Sequence, residues 1–379
     1  MRWKILMSAL VLATAASIAT LSARNERTGG STGAYGLVDG TPDLKTAGAL
    51  SFGPEGILFV GDSLGASVFA IDVGTGAPVS TAARITVANI DQRIAALLGA
   101  TADQVVINDM AVQRASQDVY FSVTRGRGAG SQPALVRLRG GQLENVPLDS
   151  ARFSKISLGD APEPGTKTSW GAEMRPMSIT DLAFVDGRLF VAGLSREQFA
   201  SRLRSAAFPF EGTVAGTSVE IFHTSHNRYE TNAPIETFLP LQVAGRPALL
   251  AGYGCAPVAL FNREELQAGK HVRGMTVAEL GGGNRPVDMI QSERQGQPVV
   301  IIANSDRTLM RMKVSDLASA KSLTTGVGGI YEASGVPYVS IAEVGVLQLD
   351  DLNSAFAIGV QRDISNGALN LVSFDKRGL

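Results

Sequence analysis

Three observations place this chain in the all-β class. Short apolar segments rich in β-branched and aromatic residues recur between Gly, Asp and Pro turns along nearly the whole length. Three stretches repeat one pattern, an apolar strand with an Asp near its start, a polar turn, and a more apolar strand. They are Ile107 to Val123 around Asp109, Ile179 to Gly193 around Asp181, and Pro286 to Asn304 around Asp288. The 42 glycines follow no collagen period and suit a fold with many tight turns. Repetition at roughly 40–70 residues, with about four strands per unit, is the signature of propeller blades carrying loop insertions. The sequence therefore predicts a single β-propeller of six, alternatively seven, four-stranded blades with short helical insertions, spanning residues 35–379. One blade cannot bury both of its faces, so blades pack around an axis. A sandwich would not hold so many copies of one unit, and β-helix coils are much shorter.

The units follow in order. The first runs through Ala49–Phe52, Gly56–Asp62 and Ser67–Asp72. The second holds the Ile107 and Asp118 strands and Ala134–Arg139. The third leads from Ile179 to Ser218–His223. Ile235–Leu241, Pro247–Tyr253 and Val258–Phe261 make the fourth; the Pro286 stretch and Leu309–Val314 make the fifth. A sixth is expected in Gly328–Ala333, Val336–Ile341 and Gly345–Leu349, with Ala355–Val360 and Ala368–Phe374 finishing it or opening a seventh. A strand near Tyr35–Val38 is expected to close the ring against the last blade.

Three helical insertions are expected between strands. Asn89 is expected to cap a helix over Ile90–Leu98, whose Ile90, Ile94, Leu97 and Leu98 fall on one face. Ser195-Arg-Glu-Gln198 is a capping-box pattern opening a helix over 196–204. Asn262-Arg-Glu-Glu265 repeats that logic.

The N-terminus carries Arg2 and Lys4, then an apolar run from Ile5 to Leu21 ending in small residues. This reads as a secretory signal over residues 1–23, followed by a polar, Gly-rich lead-in over 24–34. The run is short for a membrane span, which needs roughly twenty apolar residues. An exported chain, periplasmic or secreted, is expected, with no transmembrane domain in the mature form. No Cys follows the apolar run, so a lipoprotein anchor is excluded. The single cysteine, Cys255, excludes an internal disulfide. With 18% charged residues and net charge −1, nothing marks a nucleic-acid partner.

The blades resemble those of the broad propeller superfamily that includes NHL-type, YVTN-type and gluconolactonase-like proteins. The resemblance lies in the strand–Asp–turn–strand pattern around Asp109, Asp181 and Asp288 and covers most of residues 49–350. The Gly-His and Trp-Asp dipeptides of WD40 repeats are absent. So is the tryptophan-docking pattern of quinone-dependent dehydrogenases, since the tryptophans are Trp3 and Trp170. In gluconolactonase-like proteins a comparable ring of acids holds a metal that polarises a lactone or phosphoester.

First strands line a propeller channel, so Asp109, Asp181 and Asp288 are expected near the axis, where a ring of oxygens would suit a divalent metal such as Ca²⁺. The alternative is that each Asp bonds backbone N–H groups, as Asp readily does in turns. A second cluster is His223-Thr-Ser-His226-Asn-Arg228-Tyr229-Glu230-Thr-Asn232, which gathers two of the three histidines in a polar loop. There His226 is placed as a general base, with His223, Arg228, Tyr229 and Glu230 as ligand-binding residues. Cys255, in Gly252-Tyr-Gly-Cys-Ala-Pro257, is a nucleophile or metal thiolate if His or Arg lies near, and a small core residue otherwise. Arg285, in the Gly281–Pro286 loop, is a catalytic or carboxylate-binding cation. Met310 and Met312 share one strand face, as core residues do.

These residues predict an exported propeller acting as a binding platform for a small molecule or a periplasmic protein. One alternative is a metal-dependent, lactonase-like hydrolase with its metal in the channel. Another is a redox or soft-metal-handling propeller built on Cys255 and His226.

Overall fold

The computed structural model describes residues 35–329 and 331–379. The secretory signal and lead-in expected over 1–34 lie outside them. No helix among the described residues is long and apolar enough to cross a membrane.

Six antiparallel sheets form the six blades of a propeller. From the channel outward, blade 1 is Leu50–Phe52, Ile57–Asp62, Ser67–Asp72, Ala151–Ser157 and Val38–Gly40. Blade 2 is Val105–Gln113, Asp118–Arg125, Gln132–Arg139 and Gln142–Asn145. Blade 3 is Asp181–Val185, Arg188–Leu194, Ser201–Ala207 and Ala215–His223; Arg228–Glu230 and the parallel strand His271–Arg273 flank its edge. Blade 4 is Ile235–Val243, Arg246–Tyr253, Pro257–Asn262, Met275–Glu279 and Ser334–Gly335. Blade 5 is Pro286–Arg294, Gln297–Asn304, Leu309–Lys313 and Val339–Ile341. Blade 6 is Val346–Asp351, Phe356–Arg362, Leu369–Asp375 and Thr86–Val87.

The inner strands touch in the cyclic order 1–3–4–5–6–2–1, which is not the order along the chain. Blade 2 leads back to the outer part of blade 1 through Ala151–Ser157, which pairs with Ser67–Asp72. The three inner strands of blade 1 thus come before the rest of the ring in sequence.

Six hydrophobic clusters fill the six seams, one each. Phe59 and Val68 of blade 1 meet Leu182 and Leu189 of blade 3, while Leu58 and Phe69 meet Tyr120 and Leu135 of blade 2. Alternate residues of one strand therefore enter opposite seams, as the two-residue strand period requires. This is why the second and third strands read as continuous apolar runs: both of their faces are buried. Met310 and Met312 lie in the seam between blades 4 and 5.

Several sequence expectations are corrected here. The ring is closed by Thr86–Val87 against Leu369–Asp375, with Ser373 Oγ accepting from the Ile85 N–H at 2.8 Å. The segment near Tyr35 instead continues into the outermost strand of blade 1, and Tyr35 stacks on Phe208 at 5.2 Å. The last two strands complete blade 6, so the described residues form six blades and no seventh. The stretch expected to open blade 6 supplies Ser334–Gly335 and Val339–Ile341, which extend blades 4 and 5. Helix Ile90–Leu97 forms, but Asn89 gives it no side-chain cap. No helix forms after Ser195: residues 201–207 are the third strand of blade 3, locked between two neighbours. The local capping signal is outweighed there by buried Leu203 and by Arg204, whose guanidinium bonds Asp160, the Ser178 carbonyl and the Leu194 carbonyl. Asn262 does cap, but only one 3₁₀ turn, Arg263–Glu265.

Candidate functional site

In each blade the inner strand starts at one face of the ring, and the second and fourth strands end there. The register Ile235 with Tyr253 fixes this for blade 4. That face receives His223 at the end of its strand, the 254–256 turn, Glu279 at the end of its strand, and Arg285 just before blade 5.

His223, His226 and Cys255 come together there, each offering one donor atom within 4.8 Å of the other two. Among the described residues they are the one group of three or more His, Cys, Asp or Glu to do so. The imidazole rings lie 3.9 Å apart between centroids. Glu230 orients both. Its Oε2 pairs with His223 Nδ1 at 2.6 Å, and its Oε1 with His226 Nδ1 at 2.9 Å and Arg228 Nε at 2.9 Å. Burial would push the Glu230 carboxyl up, but the hydrogen bonds from His223, His226 and Arg228 outweigh it and hold the group at about 2. An ionised carboxylate only accepts, so both Nδ1 atoms carry protons, and in a neutral ring Nε2 is left with its lone pair. His223 Nε2 is buried without a hydrogen-bond partner.

Cys255 projects from a strained turn. It has φ 59° and Ala256 has φ 74°, consecutive non-glycine residues in the left-handed region. The Ala256 N–H bonds the Tyr253 carbonyl, and the Ala256 carbonyl accepts from Leu280 N–H, so the turn is tied to the strand end carrying Glu279. Glu279 lies opposite Pro257 and is buried. Thr224 Oγ1 hydrogen-bonds its Oε2, while Oε1 has no partner. Burial pushes this carboxyl up to about 7, against the hydrogen bonds from Thr224 and the Gly281 N–H.

Arg285 faces Glu236 at 4.0 Å, beside the same turn. Burial raises the Glu236 carboxyl, and Arg285 opposes it. Tyr229 alternates with Arg228 and Glu230 along its strand and packs the other way, 4.1 Å beneath the Arg273 guanidinium and edge-on to Phe222. Five of the seven predicted non-channel residues thus form one contiguous group, Arg285 lies beside it, and Tyr229 turns away.

Asp109, Asp181 and Asp288 line a central cavity of about 370 Å³. Each clasps two backbone N–H groups, its own successor's and one from the next blade. Asp109 takes Met110 and Leu50, Asp181 takes Leu182 and Phe238, and Asp288 takes Met289 and Leu349, all at 2.6–2.7 Å. Asp350 does the same with Asp351 and Val112. At the seam between blades 1 and 3, Ser51 Oγ accepts from Phe184 N–H at 3.2 Å. Burial pushes Asp109 up to about 8, Asp181 to about 7 and Asp350 to about 6, against their N–H donors. Burial and the neighbouring carboxylates raise Asp288 well above its usual value.

Sequence reasoning missed Asp350, Glu279 and Glu236. Asp350 is the fifth residue of its inner strand, after Val346-Leu-Gln-Leu349, as Asp109 is the fifth of Val105–Gln113, and that was its signal. Glu279 ends the strand Met275–Glu279, with one residue between it and a triple glycine, which marks it as near a loop.

No family model and no curated protein matches the chain. Similar solved structures are found at low identity and low TM-score. One is a protein of Thermus thermophilus described as an oxidoreductase, glucose dehydrogenase. It shows 14% identity over 89% of this chain and 99% of that one, with TM-score 0.33. Another is the PQQ-bound aldose sugar dehydrogenase of Streptomyces coelicolor, at 10% identity over 89% and 96%, TM-score 0.32. The plexin A4 extracellular region gives 8% identity over 89% and 46%, TM-score 0.40. The strand pairing itself makes the chain a six-bladed β-propeller.

Proposed function

We propose that the protein is an exported binding protein that seats a small ligand on the face where the inner strands begin. One observation carries this reading: loops of blades 3, 4 and 5 bring His223, His226, Arg228, Glu230, Cys255, Glu279 and Arg285 to one place. Binding sites on rigid scaffolds are commonly assembled from loops in this way. The exposed Arg228 and Arg285 and the partly open His226 and Cys255 give a ligand access.

A thermal-shift screen of metal ions, sugars and carboxylates tests the reading. At least one compound should raise the melting temperature of the wild type. That rise should vanish in His226→Ala or Arg285→Ala and persist in Arg114→Ala, which lies at the opposite end of the channel beside Asp351. A rise that survives both face substitutions and disappears in Arg114→Ala would contradict it.

A further inference from the structure

We propose that His223, His226 and Cys255 bind a single thiophilic transition-metal ion, zinc or copper, with Glu230 as the positioning carboxylate. The proposal rests on the reading that this face binds a ligand, and it names the ligand.

The donor set is the first argument. Two imidazoles and a thiol with mutual donor distances inside 4.8 Å can converge on one ion with small side-chain movement. Imidazole suits zinc and copper alike, and a thiolate favours them over calcium or magnesium. The acids of the channel differ in kind, since each of their carboxylates is already engaged by two backbone N–H groups.

The surroundings are the second argument. Histidine ligands of metals nearly always give their other ring N–H to a carboxylate or carbonyl, which fixes the tautomer and aims the free nitrogen. Here one carboxylate does this for both rings. Glu230 serves Nδ1 of His223 and of His226 and leaves Nε2 of each as the nitrogen able to ligate.

Two orphaned atoms supply the third. The His223 side chain is 3% exposed, and its Nε2 has no hydrogen-bond partner. Glu279 is 0% exposed, and its Oε1 has none either. Buried polar atoms are nearly always paired, and leaving one bare is costly. An ion on His223 Nε2, with water bridging towards Glu279, satisfies both.

Finally, the turn at Cys255 holds a non-glycine residue in a left-handed conformation where glycine would sit without strain. Such strain persists where the side chain is needed. The three protein donors come from one buried and two partly open residues, so at least one coordination position faces solvent. A water molecule or a group of an incoming ligand would occupy it.

Cobalt(II) reports on a zinc site. Chelator-treated full-length protein, titrated with cobalt, is expected to develop a thiolate-to-cobalt charge-transfer band that saturates at one equivalent and is discharged by zinc. Copper(II) added to a separate sample distinguishes the metals, because an intense visible copper–thiolate band with tighter binding assigns copper. Cys255→Ser should remove either band. His226→Ala should weaken binding at least 100-fold. Glu230→Gln should weaken it about 10–100-fold while the band remains, as expected of a residue acting through the ligands. Circular dichroism and melting curves establish that each variant is folded; Cys255 lies on a turn and His226 is 43% exposed, so both should be. No charge-transfer band in folded wild type, or unchanged affinity in folded Cys255→Ser, would overturn the metal site. If that happens while a compound from the thermal-shift screen still loses binding in Arg285→Ala, the binding face stands and only the metal falls.

Discussion

The Asp clasps make the seams directional, and Asp288→Ala tests what one of them contributes. Asp288 Oδ1 accepts from Met289 N–H at 2.7 Å within its strand, and Oδ2 accepts from Leu349 N–H at 2.6 Å across the seam to blade 6. Alanine leaves both donors bare, at about 1–3 kcal/mol each. Part is offset because a carboxyl that burial disfavours in its ionised form is removed, and because the central cavity beside Asp288 leaves room for solvent at the bare donors. A net loss of about 2–4 kcal/mol is expected. For a chain of 379 residues the unfolding entropy corresponds to roughly 0.8 kcal/mol per degree, so the melting temperature should fall by about 3–5 °C. Asp288→Asn keeps one accepting oxygen but turns an NH₂ towards the other donor, and should lose about half as much. Ser51→Ala removes a single, longer bond and should cost about 1 kcal/mol. Urea denaturation at pH 7 with a common m-value is the assay. An Asp288→Ala stability within about 0.5 kcal/mol of wild type, or a Ser51→Ala loss equal to it, would refute the role of the clasps.

Three further outcomes are expected. Because Asp109, Asp181, Asp288 and Asp350 all titrate above their unfolded values, the folded chain binds more protons than the unfolded one. The stability these groups contribute is full near pH 4 and is lost as pH rises through about 6 to 8. Glu230, held at about 2, acts oppositely and is lost as pH falls below about 4. Urea midpoints should therefore decline from pH 5 to 8, less steeply in Asp109→Asn, and a rising profile would contradict this. Ser373→Ala removes both bonds to the Ile85 backbone that fasten the closing strand, and should lower stability by about 1–3 kcal/mol and speed unfolding in stopped-flow traces. Cys255→Gly relieves a left-handed turn residue while adding chain entropy, so stability should stay within about 1 kcal/mol of wild type as ligand binding disappears. A loss of several kcal/mol would make Cys255 a packing residue.

The blades were legible because their middle strands are buried on both faces over most of their length and so carry apolar runs, such as Ile57–Val60 and Val299–Ala303. Blade order was not. The pairing of Ala151–Ser157 with Ser67–Asp72 joins segments a whole blade apart, and no local pattern encodes it. The closing strand Thr86–Val87 is two residues long, too short to show any period. The capping pattern at Ser195 misled for a related reason, since pairing on both sides of Ser201–Ala207 outweighs one local turn. At the candidate site the His223–Glu230 loop was visible as a dense polar stretch. Its approach to Cys255 across the seam between blades 3 and 4 depends on the ring. The part of Glu279 was hidden because in sequence it only ends an apolar strand.

The chain's one cysteine makes a direct measurement of the binding face available, since every modified thiol is Cys255. The rate of its alkylation by iodoacetamide should be measured in chelator-treated folded protein over a series of free zinc or copper concentrations. Protection that saturates at one equivalent, and that Glu230→Gln shifts to about 10–100-fold higher metal concentration, is predicted. An alkylation rate independent of metal in the folded wild type would contradict the proposed site.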